Sequence, residues 1–435
     1  MLTLALAFLL PSAAVPAASP TVLFRSNFTE PSWVAIYHIP VLLAVPINGS
    51  ASVPQNATRW RMLAFAEARQ CNADGATTCD PALAPDGAPK GLAFRHSDWA
   101  ATNSSATTTD WVPSLGTPPR FLYRDTHSEC CMNLGAAVFE AVTRTVFLHF
   151  VVGYGHKSGQ QVLLFSRDFG DSWQKHPGYS SQLKAAGFSK FAPGPGIGVQ
   201  FMQPTSFRHR LLICGQGKAQ GSAVCISSDN HGSTWMGAGG PEVEDNSTLP
   251  SEASLAELTN GSLLLNTRNS CHRLPKPHNC CWGPGCFDRA GVPHCHGPKA
   301  CDHSHDHHHT RILSWSHDGG KTFSEPTWCP ALPDPDCEGS MARDVSSGEL
   351  LFSNNKNGTI GNRNNMTLYR SGGGDGTCSS WREVKQINVG PAGYSCITSL
   401  PQRRVGIMYE HAWSAGAVAR NDRDRTNLVF ELVHA

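Results

Sequence analysis

Three copies of one short pattern, Ser-x-Asp-x-Gly-x-Ser/Thr-aromatic, punctuate the middle of this chain. They read Ser166-Arg-Asp168-Phe-Gly170-Asp-Ser172-Trp173, Ser228-Asp-Asn230-His-Gly232-Ser-Thr234-Trp235 and Ser316-His-Asp318-Gly-Gly320-Lys-Thr322-Phe323. Each follows an apolar, strand-like run: Val162-Leu-Leu-Phe165, Ala223-Val-Cys-Ile226 and Ile312-Leu-Ser-Trp315. The chemistry is that of a hairpin turn. Aspartate accepts amide hydrogens of its own loop, glycine takes the positive-φ position, and the aromatic ring plugs between neighbouring sheets. The middle copy has Asn230 in place of aspartate, which keeps the same acceptor. A strand-turn-aromatic unit repeated in this way predicts a fold assembled from similar antiparallel sheets.

Composition agrees. Charged residues are only 16% of the 435, while 41 glycines and 30 prolines supply many turns. Short alternating strands such as Thr145-Val-Phe-Leu-His-Phe150, Leu211-Leu-Ile213 and Leu263-Leu-Leu265 recur between Gly, Pro, Asn and Ser clusters, with no long amphipathic helix. At four strands per sheet, roughly 400 residues give about six sheets, so the expected fold is all-β, a six-bladed β-propeller with Asp-box repeats. Two weaker traces of the repeat run from Arg95-His-Ser97 to Trp111 and from Ser371 to Trp381. The 35 basic residues balance 34 acidic ones, which leaves no basic field for nucleic acid or an anionic membrane.

Residues 1–19 combine a short apolar core with small residues before a cleavage point and are read as a signal peptide, too short to span a bilayer. Eight Asn-x-Ser/Thr sequons, at Asn27, Asn48, Asn56, Asn103, Asn246, Asn260, Asn357 and Asn365, and an even count of 16 cysteines point the same way. No later apolar segment is long enough to cross a membrane. The expectation is a soluble glycoprotein of a secretory or lysosomal lumen, or a secreted one, with residues 20–435 forming one propeller.

The remaining motifs, taken in order, resemble sialidases, and among them most closely the animal lysosomal type. They are Tyr37-His38-Ile39-Pro40, Leu63-Ala-Phe-Ala-Glu-Ala-Arg69, Asn133-Leu-Gly-Ala136, Phe191-Ala-Pro-Gly-Pro-Gly196, Ser251-Glu252, Asn266-Thr-Arg268-Asn269, Arg363-Asn-Asn-Met-Thr-Leu368, Gly390-Pro-Ala-Gly-Tyr394-Ser395 and Met408-Tyr-Glu410. Sialic acid bears a carboxylate on its anomeric carbon, so a site must neutralise that anion and avoid attacking with another. Sialidases use tyrosine as nucleophile with a glutamate as its base. The resemblance implies Tyr394 and Glu252 for these roles, sialylated glycans as substrates, and no metal or cofactor. The general acid should follow Arg69, where Asp74, Asp80 and Asp86 compete. Counting back from Arg95-His-Ser97 favours Asp86, and counting forward from Arg69 favours Asp74, across an insertion that Cys71 and Cys79 could staple.

Sialidases bind the substrate carboxylate with three arginines, because planar guanidinium forms paired hydrogen bonds and stays charged. Arg268 and Arg363 match the second and third. The first is absent: Tyr-Arg-Ile-Pro is replaced by Tyr37-His38-Ile39-Pro40, so His38 takes the clamp position, with Glu410 as its expected partner and Arg25 and Arg69 nearby in sequence. Imidazole is shorter and charged only on the acid side of neutrality. A second departure is the Cys/His-rich insertion at about 270–310, ending in Asp302-His-Ser-His-Asp-His-His-His309; it reads as a disulfide-stapled loop ahead of a transition-metal site. The functional expectation is a retaining exo-α-sialidase. The alternative is a lectin-like propeller that binds the sugar without turnover.

Overall fold

The computed structural model describes residues 20–26, 34–48, 56–70, 89–100, 110–125, 132–153, 159–188, 191–217, 223–241, 250–269, 310–356, 363–412 and 426–435. Six sheets, antiparallel apart from a short parallel pairing of Gly196–Ile197 with Ala136 and Ala137, follow one another along the chain, each entered through its first strand: Val34–Pro46, Met132–Glu140, a short pair around 192–200, Pro250–Glu257, Ser340–Arg343 and Ala392–Leu400. These first strands pack against one another around a common centre, and the last meets the first. The result is the expected all-β, six-bladed β-propeller. A short α-helix, Tyr179–Ala185, lies on the second sheet. Among the described residues no helix is long and apolar enough to cross a membrane.

The ring closes through a strand that belongs to the opposite end of the chain. Thr21–Phe24 pairs antiparallel with Thr426–His434, the third strand of the sixth sheet, and so becomes that sheet's outer strand.

The repeat acts both within a sheet and between sheets. In each box the serine hydroxyl accepts the glycine amide, at 2.7 Å for Gly170, 2.9 Å for Gly232 and 2.9 Å for Gly320. The Asp168 and Asp318 carboxylates accept the amides of Ser172 and Thr322. Asn230 accepts the Thr234 amide in the same way and donates its own amide to the Thr234 hydroxyl. The glycines have φ of +98°, +80° and +86°. Each also lies flat against the preceding sheet: a Cβ on Gly170 would meet Phe94 and Leu63, one on Gly232 would enter the Phe147 ring, and one on Gly320 would touch Leu212. Trp173 and Trp235 stack edge-on against Phe94 and Phe147, rings of those same preceding sheets. The Ser371 to Trp381 trace is a stretched fourth copy, in which the Gly376 amide donates to Ser371 Oγ and Trp381 Nε1 donates to the Gly376 carbonyl.

Two disulfides are present among the described residues. Cys214–Cys225 crosses the middle strands of the third sheet, and Cys329–Cys378 joins the fourth sheet to the fifth. Residues 1–19, read above as a signal peptide, the 270–309 stretch with its Cys/His tract, and Cys71 and Cys79 lie outside the described residues.

Candidate active site

Extra residues interrupt several first strands, the second sheet's between Leu134 and Ala136 among them, and three of these bulges bear site residues. In the first sheet, His38 to Val41 takes three steps against two on the paired strand, from Glu67 to Phe65. The same offset occurs between Pro250 and Ala253, around Glu252, and between Ala392 and Ser395, around Tyr394. Such bulges interrupt the pleat and re-aim a side chain. Here they turn His38, Glu252 and Tyr394 into one cluster, and Ile39 takes a φ of +54° to complete the first of them.

Tyr394 is the hub. Its hydroxyl donates to Glu252 Oε1 at 2.5 Å and accepts from Arg268 Nη1 at 2.8 Å. Arg268, 2% exposed, also donates Nη1 to Glu252 Oε2 at 2.6 Å and Nε to Asp336 Oδ1 at 2.6 Å. The Arg363 guanidinium sits over the Tyr394 ring, 5.3 Å from its centroid, and donates Nη2 to the Asp336 carbonyl at 3.0 Å. Burial, followed by the Glu252 charge, drives the Tyr394 phenol well above its ordinary value, against the opposing pull of Arg268 and Arg363. The resting hydroxyl is therefore protonated, and its proton already points at a carboxylate.

Glu410 holds the other side of the tyrosine. Its Oε1 lies 3.0 Å from His38 Nδ1 and accepts the Ile39 amide at 3.1 Å, while Oε2 accepts the Tyr394 amide at 3.1 Å. This placement requires Gly393, since a Cβ there would collide with the Glu410 carboxylate. Tyr394, Glu252, Arg268, Arg363, His38 and Glu410 thus form one connected group drawn from sheets one, four, five and six. A phenol between a carboxylate and a guanidinium is equipped for nucleophilic attack, and guanidinium and imidazole groups beside it are equipped to receive an anion.

Arg69 joins a second polar cluster, donating Nε to Glu67 Oε2 at 3.3 Å. Lys90, fully buried, lies 3.3 Å from the same oxygen and donates to Asn133 Oδ1, and Glu67 Oε1 accepts the Leu134 amide. Arg69 pairs with Lys90 across the ladder, and the stretch that bears Asp74, Asp80 and Asp86 springs from this pair. Those three aspartates lie outside the described residues. Arg25 is exposed.

Two residues of the site were not foreseen from the sequence. Asp336 contacts both arginines. Glu338, 2% exposed, accepts the Ser395 amide with Oε2, and its other oxygen is buried with no hydrogen-bond partner. Their only mark in the sequence is the acidic run Asp334-Pro-Asp336-Cys-Glu338 just before a strand.

No family model matches the chain. Two curated proteins do: a sialidase of Micromonospora viridifaciens, 29% identical over 245 residues, and a sialidase of Bacteroides fragilis (strain YCH46), 26% identical over 264. The matches cover 54% and 58% of this chain but only 29% and 40% of those proteins. Among solved structures, the microbial sialidase Hz136 superposes with a TM-score of 0.60 at 17% identity, covering 95% of this chain and 68% of its own. A leech intramolecular trans-sialidase complexed with 2,7-anhydro-Neu5Ac gives 0.62 at 13% identity, covering 96% and 70%. The chain is therefore similar to bacterial sialidases in sequence and shares the sialidase propeller in fold.

Proposed function

We propose that this protein is a retaining exo-α-sialidase that releases terminal sialic acid from glycoproteins, glycolipids and oligosaccharides. The observation that carries the reading is the Tyr394 hydroxyl held between Glu252 Oε1 and Arg268 Nη1. In the first step Tyr394 Oη bonds to the anomeric carbon as its proton passes to Glu252, and the departing glycan oxygen takes a proton from the general acid, assigned to Asp86. In the second step water attacks the same carbon and gives a proton to the Asp86 carboxylate, while Tyr394 leaves and takes its proton back from Glu252, with net retention. Arg268, Arg363 and His38 receive the substrate carboxylate, Glu410 fixes His38 and the Tyr394 backbone, and Arg69 supports the strand end from which the acid-bearing segment departs. No cofactor enters this scheme. The leader, the sequons and the two disulfides suit a lysosomal or secreted protein made in an oxidising lumen.

The purified protein should hydrolyse a fluorogenic sialoside. Tyr394→Phe and Glu252→Ala should each lower kcat by roughly 10²–10⁴-fold, and the double variant should lose little more than the worse single one, because both act on one chemical step. Full activity in Tyr394→Phe would sink the nucleophile assignment. Binding of sialic acid by a wild type that never turns over would favour the lectin-like alternative.

A further inference from the structure

The fourth sheet's outer strand, Thr327–Pro333, connects to the fifth sheet's first strand through the segment 334–339, which bonds both arginines through Asp336. It is tied at both ends to residues adjoining the site. Asp334 accepts the amide of Asn269, the residue after Arg268, at 2.9 Å, and also accepts from Arg311 Nη1 at 3.2 Å. Glu338 accepts the amide of Ser395, the residue after Tyr394, at 3.1 Å. Between these anchors lies Asp336, with a φ of +60° that glycine, asparagine and aspartate tolerate best.

Asp336 bonds both clamp arginines, and it uses different groups for the two. Its carboxylate accepts Arg268 Nε at 2.6 Å, and its main-chain carbonyl accepts Arg363 Nη2 at 3.0 Å. Guanidinium is a rigid planar fork, so fixing Nε fixes the direction of both terminal nitrogens. Arg268 Nη1 is already committed to Glu252 and Tyr394, whereas Nη2 is buried with no hydrogen-bond partner. A buried, unpaired donor on a charged group is a receptor waiting for an acceptor.

Resting on the sialidase reading above, we propose that Asp336 is a positioning residue that sets both arginines for the substrate carboxylate, presenting Arg268 Nη2 as the free end of the clamp. A guanidinium without this anchor would still be held by Glu252 and Tyr394, but its plane could turn about Nη1 and carry Nη2 away from the anion.

The backbone geometry supplies a discriminating test. Asp336→Gly suits the positive φ and keeps the carbonyl on Arg363 but removes the carboxylate from Arg268. Asp336→Asn suits the same φ and keeps a side-chain acceptor. KM and kcat would be measured with 4-methylumbelliferyl N-acetylneuraminide, together with competition by free N-acetylneuraminic acid and by its methyl ester. Asp336→Gly should raise KM roughly tenfold or more, the scale of one charged hydrogen bond, while kcat changes less. Competition by the acid should weaken toward that of the ester, and Asp336→Asn should recover most of the lost affinity. An unchanged KM and acid-to-ester ratio in Asp336→Gly, with the wild type active, would overturn the positioning role and leave the sialidase reading standing. An Asn variant as impaired as the Gly variant would also overturn it. A wild type that neither hydrolyses the sialoside nor binds the acid would overturn both.

Discussion

His38 commits Nδ1 to Glu410, and its Nε2 is buried without a hydrogen-bond partner. Burial pushes Glu410 upward, yet His38, Arg363 and the Ile39 amide outweigh it and hold the carboxyl below its usual range. An anion thus always faces the imidazole, and a substrate carboxylate would bring a second. Imidazole turns a single ring nitrogen toward the substrate, whereas guanidinium presents a planar fork that bonds a carboxylate in pairs. His38→Arg should therefore lower KM for a sialoside by about one to two decades, the scale of a restored charged hydrogen bond, with kcat changing less. An unchanged KM in the variant would refute the clamp role of His38. Glu338 poses the opposite case: burial first, then the neighbouring Glu252 and Glu410 charges, drive it well above the carboxylate range, so it is held protonated. A raised carboxyl contributes stability that is complete below its unfolded value of about 4.3 and is lost as pH rises through the folded value. Glu338→Gln should therefore raise the melting temperature at pH 7 to 8 and lose that advantage near pH 4; a pH-independent difference would contradict the buried acid. At this scale the sequence carried Tyr394, Glu252, Arg268, Arg363 and Glu410 in recognisable motifs. Asp336 and Glu338 were hidden, because an acidic run before a strand reads equally well as a solvated turn.

The Asp-box hairpins were the most legible elements, since the bonds among their serine, aspartate or asparagine and glycine lie within a few residues. The fourth copy was harder to read because Ser371 and Gly376 are five apart, against four in the regular copies, and Gly376 and Trp381 five apart against three. The bulges at His38, Glu252 and Tyr394 left no trace, because an extra residue is defined only by the register of the partner strand. The boxes also join sheets, and a glycine substitution can measure that. Gly232→Ala imposes a side chain at φ +80° and drives its Cβ into the Phe147 ring of the preceding sheet, whereas Gly187→Ala imposes the same backbone demand, at φ +83°, with nothing within 4 Å. Gly187→Ala should cost about 1 kcal/mol from backbone strain alone. Gly232→Ala should cost about 2–4 kcal/mol, since overpacking is added to it. Equal losses in thermal or urea unfolding would mean that the box does not clamp the neighbouring sheet.

Counting strands anticipated six sheets but not how the ring is sealed. Thr21 pairs with Phe430, a contact between chain ends that no local pattern announces. The same N-terminal segment then leads toward the site: the Ser26 amide donates to Asn427 in the sixth sheet, and Ser26 Oγ accepts the amide of Tyr37, next to His38, in the first. Phe24, 1% exposed, packs at this seam against Tyr37, with ring centroids 5.4 Å apart, in a cluster that includes Trp60, Trp111 and Phe430. Arg95 reinforces the seam by donating Nε to the Leu23 carbonyl at 2.9 Å. Opening it would expose core on two sheets at once, so the ring should unfold as one unit and not sheet by sheet. Phe24→Ala removes a ring from this packed junction and should destabilise the whole protein by about 3–5 kcal/mol. Far-UV circular dichroism and tryptophan fluorescence should still give coincident transitions, both at lower denaturant. Because the seam sets the path of the strand bearing His38, the variant should also raise KM for a sialoside before it lowers kcat. Separate transitions by the two probes, or an unchanged midpoint, would show that the N-terminal strand is an appendage and not the closure of the ring.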